Sequence, residues 1–169
     1  ILFEVTMEDG SGTLTGEGNS EGYSLHTFSA TNGSRQGWIN IPSDTEYSSA
    51  AFDPSGRMAW LGTRMGTVRE VDVATGKLLH EWPVAPGVVK HLRFLPDMRC
   101  LVMANEEDPA ITLLDITTGH RLNLLSSGDE WIAYTEDGYF DCSPGGAKHL
   151  NVVSGISAFA IDQFATRLN

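Results

Sequence analysis

Asp72-Val73-Ala74-Thr75-Gly76-Lys77 is the stretch that decides the fold, because it returns as Asp115-Ile116-Thr117-Thr118-Gly119-His120 at a spacing of 43 positions. A second landmark, Phe52-Asp53-Pro54-Ser55-Gly56-Arg57, returns as Phe94-Leu95-Pro96-Asp97-Met98-Arg99 at a spacing of 42 positions. Two landmarks that recur at nearly one spacing, with short apolar runs between them, indicate a repeat architecture. A period of about 40–45 residues built from short strands is typical of β-propeller blades, each a four-stranded antiparallel sheet. The sequence therefore predicts an all-β fold.

Turn chemistry places the strands between these landmarks. The sequence predicts strands near 58–62, 67–73, 78–82 and 88–95, followed by a matching set about 43 residues later. Met65-Gly66 suits a tight reversal, and Gly76 and Gly119 stand where a hairpin requires a positive φ. In the first repeat, residues 23–30 are predicted to form the corresponding strand.

The 169 residues are the length of one domain. The landmarks divide it into approximate repeats at 1–36, 37–80, 81–123 and 124–169, and Trp131 is expected to open the last of them. Closed propellers have about 4–8 blades, so we expect a partial or open propeller of about 3–4 blades. Its uncovered end blades would need further sequence or another chain, which makes self-association an expectation. Only the last dozen residues are candidates for a helix.

Composition narrows the class of partner. The formal net charge of −11 and a pI near 4.7 argue against nucleic acid, whose phosphates bind basic surfaces. No apolar run approaches the about 20 residues of a membrane span, so no membrane partner is expected. The chain starts at Ile1 rather than Met, without a secretory leader, which suggests a fragment or a processed piece and leaves an upstream signal open. Cys100 and Cys142 match no disulfide framework or metal-ligand spacing, and we interpret them as free thiols of a cytoplasmic protein.

The stretch from Thr67 to Lys77 resembles the second half of a WD-repeat blade. The Trp-Asp dipeptide of that family falls at Val71-Asp72 and Leu114-Asp115, so the aspartate is kept and the tryptophan is replaced. In the first repeat Phe28-Ser29 stands at this place, and Pro86-Gly87 is the nearest remnant of the Gly-His pair that opens a blade. The resemblance extends from about residue 5 to about residue 125. It implies WD40-like propeller blades that serve as a binding scaffold.

The segment from Glu130 to Gly146 carries a second resemblance. Its pattern of Trp131, an aromatic residue, Asp-Gly-Tyr-Phe at 137–140 and Ser143-Pro144 is similar to a segment that follows the repeats in bacterial WD-repeat proteins. Many of those are multidomain chains that also carry a caspase-like peptidase domain. The resemblance therefore implies a caspase-like effector elsewhere in the full-length protein, because the peptidase motifs do not occur in these 169 residues.

The candidates for catalysis and metal binding are few. Cys142 and His149 could be drawn as a nucleophile and its base, but no helix start follows the cysteine. Asp137 and Asp141 could be drawn as paired carboxylates or calcium ligands, but they lack the alternating oxygen ligands of a calcium loop. The five histidines fall in different strands and turns. We therefore predict that this chain alone is not an enzyme and holds no metal and no cofactor.

The four tryptophans are interpreted as structural. Large aromatic side chains contribute most when they are buried, so we expect them to pack in the core or between blades. They are Trp38, Trp60, Trp82 and Trp131.

Two functional classes remain. The first is a non-catalytic protein-interaction or sensing module of a larger protein, which holds a protein partner or an attached effector domain such as the caspase-like peptidase. The second is the propeller scaffold of a hydrolase or small-molecule-binding protein with a site at the central channel. Partner-binding residues are predicted in the two loops that depart most from the repeat, and these are Asn19, Glu21, Glu106, Glu107 and Asp108.

Overall fold

The computed structural model describes residues 3–6, 12–19, 22–29, 32, 34–149, 151–154 and 157–160, and its strands form antiparallel sheets. Three large sheets follow one another along the chain, and we call them blades 1, 2 and 3. The all-β prediction is therefore confirmed. The helical segments among the described residues are two 3-10 turns, Pro96–Met98 and Gly146–His149. The described residues contain no helix long and apolar enough to cross a membrane.

Blades 1 and 2 are four-stranded, and each strand pairs with the next one along the chain. The strands of blade 1 are β1 (Phe3–Thr6), β2 (Gly12–Asn19), β3 (Gly22–Ser29) and β4 (Arg35–Ile41). The strands of blade 2 are β5 (Tyr47–Phe52), β6 (Met58–Thr63), β7 (Thr67–Asp72) and β8 (Leu78–Pro83). The predicted strands of the first and second repeats are therefore confirmed. Most of β5 is buried and most of β8 is not, so β5 is the inner strand of its blade and β8 the outer one.

Blade 3 is wider, with six strands in chain order. They are β9 (Val89–Leu95), β10 (Cys100–Asn105), β11 (Ile111–Asp115), β12 (Arg121–Ser127), β13 (Glu130–Thr135) and β14 (Phe140–Cys142). β9 confirms the strand predicted near 88–95, and β10 to β13 confirm the matching set predicted about 43 residues later. A separate hairpin follows, made of β15 (Asn151–Ser154) and β16 (Ser157–Ala160). Most of the last dozen residues, the predicted place for a helix, lie outside the described residues.

The predicted start of a fourth repeat is placed differently by the structure. β13, which contains Trp131, pairs with β12 and so widens blade 3 instead of opening a new blade. Loop length explains the difference. Residues 84–88 carry the chain from blade 2 to blade 3, whereas only residues 128–129 join β12 to β13. A two-residue turn with Gly128 at a φ of 61° folds the chain back onto the preceding strand. The repeat boundaries themselves stay a prediction.

The repeated hairpin has the predicted turn chemistry. Gly76 and Gly119 adopt φ values of 69° and 76°, and each N–H donates to the carbonyl of the aspartate four residues earlier at 2.8 Å. In blade 2 the Asp72 carboxylate accepts the Thr75 N–H at 2.8 Å and the Thr75 hydroxyl at 2.7 Å. Both hydrogen bonds lower the pKa of Asp72, and the one from the Thr75 hydroxyl has the larger effect. The aspartate that matches the Trp-Asp dipeptide therefore shapes the turn.

The core lies between the blades. One buried cluster joins Leu25 of blade 1 to Tyr47 and Leu61 of blade 2. A second cluster joins blade 2 to blade 3. In it the rings of Trp60 and Phe94 stack, with their centroids 4.3 Å apart. Each blade therefore buries its apolar faces against its neighbours, as repeat architectures require.

The inner strands of blades 2 and 3 also touch directly. The hydroxyls of Ser48 and Ser49 donate to the Val89 carbonyl at 2.9 and 2.6 Å. Gly62 makes this approach possible, because a Cβ at that position would lie 2.3 Å from Ser49 Oγ and 2.7 Å from Val89 Cγ1. Small side chains on β5 and β6 therefore set the spacing of the two blades.

Candidate interaction surfaces

The acidic loop between β10 and β11 is anchored at both ends. Lys90 Nζ donates to the Glu106 carboxylate at 2.7 Å, and the Ala110 N–H donates to Asp108 Oδ1 at 2.9 Å. Glu106 and Glu107 are exposed, and Asp108 is half-buried. The loop therefore presents carboxylates to solvent from a backbone that is tied to blade 3.

The second predicted loop, between β2 and β3, is described only in part. Asn19 ends β2 and pairs with Gly22 across the turn, while Glu21 lies outside the described residues. This loop and the acidic loop both join the second strand of a blade to the third. Loops at equivalent positions of successive blades lie on the same rim of a propeller. The partner-binding role of both loops stays a prediction.

A buried arginine of blade 2 was missed by the sequence interpretation. The guanidinium of Arg69 donates to the two carboxylate oxygens of Asp44 at 2.6 and 2.9 Å and to Glu81 at 2.9 Å. It also lies 3.3 Å from the hydroxyl of Tyr47. The hydrogen bond from Arg69 lowers the pKa of Asp44, and the same bond raises the pKa of Arg69. Asp44 belongs to the connection between β4 and β5, so the bidentate pair ties blade 2 to the segment that enters it.

The position of Arg69 is polar in all three blades. His26, Arg69 and Thr112 follow one another at a spacing of 43 residues. Thr112 Oγ1 donates to Asn123 Oδ1 at 2.9 Å, and His26 Nε2 lies 2.8 Å from Ser24 Oγ. A polar residue that recurs at one phase of the repeat is the sequence signal that could have identified this network.

A polar cleft of about 480 Å³ lies on the face of blade 1 that points away from blade 2. Glu17, His26 and Trp38 are among its lining residues. His26 Nε2 lies 3.8 Å from the Glu17 carboxylate. The face that blade 1 leaves uncovered is therefore mainly polar, with one exposed aromatic ring.

The tail motif forms one hydrogen-bonded unit. The Trp131 N–H donates to Ser143 Oγ at 2.9 Å, the Ser143 hydroxyl donates to the Glu130 carboxylate, and the Gly145 N–H donates to the same carboxylate at 2.9 Å. A Cβ on Gly146 would lie 2.1 Å from the Trp131 carbonyl oxygen. The residues that carry the second resemblance therefore hold the chain after β14 against β13.

The tryptophans divide into two pairs. Trp60 is buried and Trp82 packs against the core cluster between blades 2 and 3, as predicted. Trp38 and Trp131 are 58% and 44% exposed, so the prediction that they pack in the core or between blades is wrong for these two. Each lies on a sheet face that no described neighbour covers, which is why sequence alone could not separate them from the buried pair.

The described residues offer no assembled chemical site. No group of three or more His, Cys, Asp or Glu side chains among them could hold a metal ion. Cys100 is a buried free thiol and Cys142 a half-buried one. Burial raises the pKa of Cys100, which keeps its thiol protonated and unreactive. Among the inner strands, β5 has the sequence YSSAAF without a charged side chain, whereas β9 carries Lys90, His91 and Arg93. A site at the central channel therefore stays the alternative prediction.

Solved structures of other proteins share this architecture. No family profile matches the sequence. The chain is similar to the structure of U3-55K, with a TM-score of 0.54 and 11% identity over 82% of this chain and 50% of that one. It is similar to the crystal structure of RRP9 WD40 repeats, with a TM-score of 0.55 and 11% identity over 85% of this chain and 51% of that one.

Another similar structure is the Kuenenia stuttgartiensis hydrazine synthase, with a TM-score of 0.52 and 15% identity over 75% of this chain and 43% of that one. The chain thus spans about half the length of the structures it matches. Its three sheets are WD40-like β-propeller blades, and together they form a partial propeller.

Proposed function

We propose that this chain is the non-catalytic interaction or sensing module of a larger protein, in which the propeller blades hold a protein partner at their rim. The observation that carries the proposal is the anchored acidic loop. Glu106 and Glu107 are exposed on a backbone that is fixed by the hydrogen bond from the Glu106 N–H to the Val88 carbonyl at 2.9 Å and by the Asp108–Ala110 turn. A preorganised charged loop on a rigid scaffold loses little conformational entropy on binding, which favours affinity.

More specifically, we propose that the partner is an attached caspase-like peptidase whose activity the module regulates. The full-length protein would then be a bacterial, cytoplasmic one. Support comes from the segment between Glu130 and Gly146, which resembles a segment of bacterial WD-repeat proteins that also carry a caspase-like peptidase domain. Its hydrogen bonds to β13 fix the direction in which the chain leaves blade 3. A tail fixed in this way would orient an effector relative to the rim.

The experiment is calorimetric titration of this chain with a separately produced caspase-like domain from a bacterial protein that joins such a domain to WD-type repeats. We expect binding that weakens as salt is raised, because exposed carboxylates contribute through screened electrostatics. Glu106→Lys/Glu107→Lys should weaken binding by about tenfold or more, which corresponds to about 1.4 kcal/mol. This pair removes the Lys90–Glu106 ion pair but leaves the Asp108 turn at Ala110 and the backbone hydrogen bond from the Glu106 N–H to the Val88 carbonyl unchanged.

Asp97→Lys/Asp129→Lys is the matched control, since it makes the same change in net charge at two exposed positions outside the acidic loop. The control should bind like the parent. Equal weakening by both double variants would mean that only net charge matters, and would contradict a specific role for the loop. Loss of the far-ultraviolet strand signal in the Glu106→Lys/Glu107→Lys variant alone would instead assign the two carboxylates a role in folding.

A further inference from the structure

The face of blade 3 that points away from blade 2 differs from the equivalent faces of blades 1 and 2 at one position of the repeat. Leu25, Val68 and Ile111 follow one another at a spacing of 43 residues. Leu25 is 1% exposed beneath blade 2 and Val68 is 0% exposed beneath blade 3, but Ile111 is 47% exposed. The face of a blade that normally receives the next blade is therefore uncovered in blade 3, as far as the described residues go.

The uncovered face is continuous and apolar. Ile111 pairs with Leu124, Leu124 pairs with Ala133, and paired residues of neighbouring strands share one face. Leu122 and Trp131 are two residues away from members of this set along their own strands and so lie on the same face. We call this surface the blade 3 face. It carries four of the nine large apolar side chains that are exposed in the described structure, which marks it as an interaction surface.

Charge is distributed across the blade 3 face from one edge to the other. A single row of cross-strand pairs begins at His91 on β9 and ends at Asp141 on β14, with Ala104, Ile111, Leu124 and Ala133 between them. Arg93 lies two residues from His91, on the same face. The row therefore has an imidazole with an arginine beside it at the inner edge, apolar side chains in the middle and a carboxylate at the outer edge.

The other uncovered face of the chain does not complement this pattern. On blade 1, Thr15 and His26 stand opposite each other on the face that points away from blade 2, and the cleft there is lined by Glu17. Packing the exposed Glu17 carboxylate of this cleft against the aliphatic centre of the blade 3 face would take a charge out of water. A head-to-tail ring of two copies is therefore disfavoured.

We propose that two copies of this chain associate through their blade 3 faces, packed sheet on sheet around a two-fold axis that runs parallel to the strands. This arrangement specifies the self-association through uncovered end blades that the sequence predicts. Rotation about such an axis places β9 of one copy over β14 of the other, so that His91 and Arg93 face Asp141. A two-fold axis across the strands would place β9 over β9 and oppose like charges. A groove of about 330 Å³ beside Val102 and Ile111 receives an apolar side chain of the second copy.

The test is sedimentation equilibrium of the chain over a range of concentrations. A monomer–dimer equilibrium is expected, and Ile111→Asp and Leu124→Asp should each weaken it by about 100-fold or more, because a carboxylate would be buried against apolar side chains. Leu79→Asp is the matched control, since Leu79 is exposed on β8 of blade 2 and should leave dimerisation unchanged. Leu122→Lys on the same face serves as an additional variant if either aspartate variant unfolds.

Charge exchange tests the direction of packing. His91→Glu and Asp141→Lys should each weaken the dimer, and the double variant should recover most of the parent affinity. A monomer at every concentration would overturn the proposal, and so would a dimer that is lost in Trp38→Asp but kept in Ile111→Asp and Leu124→Asp. A monomeric chain that still binds the caspase-like domain through Glu106 and Glu107 would overturn only the dimer and leave the interaction-module proposal standing.

Discussion

Blades 2 and 3 are built on one repeat but have different surroundings. Val68 and Ile111 occupy the same place in that repeat, 43 residues apart, yet Val68 is fully buried and Ile111 is about half exposed. Blade 3 covers Val68, and no described residue covers Ile111 to the same degree. Burial in a repeat protein is therefore set by the next repeat as much as by the residue itself. The same comparison explains why an apolar position can be structural in one blade and a binding surface in another.

The two blades also differ at their outer edges. Blade 2 ends at β8, whose side chains are largely exposed, whereas blade 3 continues through β13 and β14. The added strands are held by the Glu130–Ser143 and Glu130–Gly145 hydrogen bonds, which have no counterpart in the sequence of blade 2. The widened sheet supplies Trp131 and Asp141, so the tail motif completes the blade 3 face.

The largest expected difference between the blades comes from placing a charge at their equivalent positions. Val68→Asp should lower the free energy of unfolding by more than about 4 kcal/mol, because an unpaired carboxylate would be buried between blades. Ile111→Asp, measured below the concentration at which dimers form, should change it by less than about 1 kcal/mol. Urea unfolding followed by tryptophan fluorescence measures both, and equal destabilisation would contradict the described burial.

The next largest difference in stability between the blades is expected at their hairpin glycines. Both Gly76 and Gly119 have positive φ, but a Cβ on Gly76 would lie 2.1 Å from the Asn40 carbonyl oxygen, whereas one on Gly119 would lie 3.4 Å from the Trp82 ring. Gly76→Val should therefore cost about 3 kcal/mol or more and Gly119→Val about 1–2 kcal/mol. Thermal unfolding of the two variants should show the larger loss in blade 2, and a reversed order would indicate that the blades are spaced differently.

The Arg69 network should make blade 2 sensitive to acid in a way that blade 3 is not. The pKa of Asp44 is lowered by Arg69 from its ordinary value of 3.8, so the stability from this pair is complete above that value and is lost as pH falls through the lowered pKa. Asp44→Asn should therefore be less stable than the parent near neutral pH and approach it in strong acid.

Arg69→Met should give the same convergence in acid, with a loss near neutral pH of about 1–3 kcal/mol. Thr112→Val, at the equivalent position of blade 3, is the control and should leave the pH dependence of stability unchanged. A parallel pH profile for Asp44→Asn and the parent would count against the ion pair.

The smallest effect is expected at the turn between the first two strands of each blade. Gly56 takes the positive φ in blade 2, at 68°, whereas in blade 3 Arg99 takes it, at 50°. A non-glycine residue pays a steric cost in the left-handed region, so Arg99→Gly should raise the free energy of unfolding by about 0.5–1 kcal/mol. Chemical denaturation can resolve this gain, and a loss of stability would show that the Arg99 side chain makes contacts of greater value.

Much of the fold could be predicted because its signals are local. A hairpin glycine and an aspartate that accepts hydrogen bonds from the turn act over a few residues, so Asp72 and Gly76 identify their turn in the sequence. The start of a fourth repeat is predicted from Trp131, whereas the two residues between β12 and β13 fold β13 back onto blade 3. The acidic loop was recognised from its composition, but its anchoring by Lys90 was not, because that contact joins residues 16 positions apart.

The sequence by itself determined the repeat, its strands and the conformation of its turns, since each of these depends on neighbouring residues and on a period that sequence displays directly. Only the tertiary structure decided which faces of the blades are covered. Whether Trp60 is buried and Trp131 exposed depends on the sheet that packs against each, and so does the difference between Val68 and Ile111. Packing between blades joins residues far apart in the chain, and no periodic pattern records which blade has a neighbour.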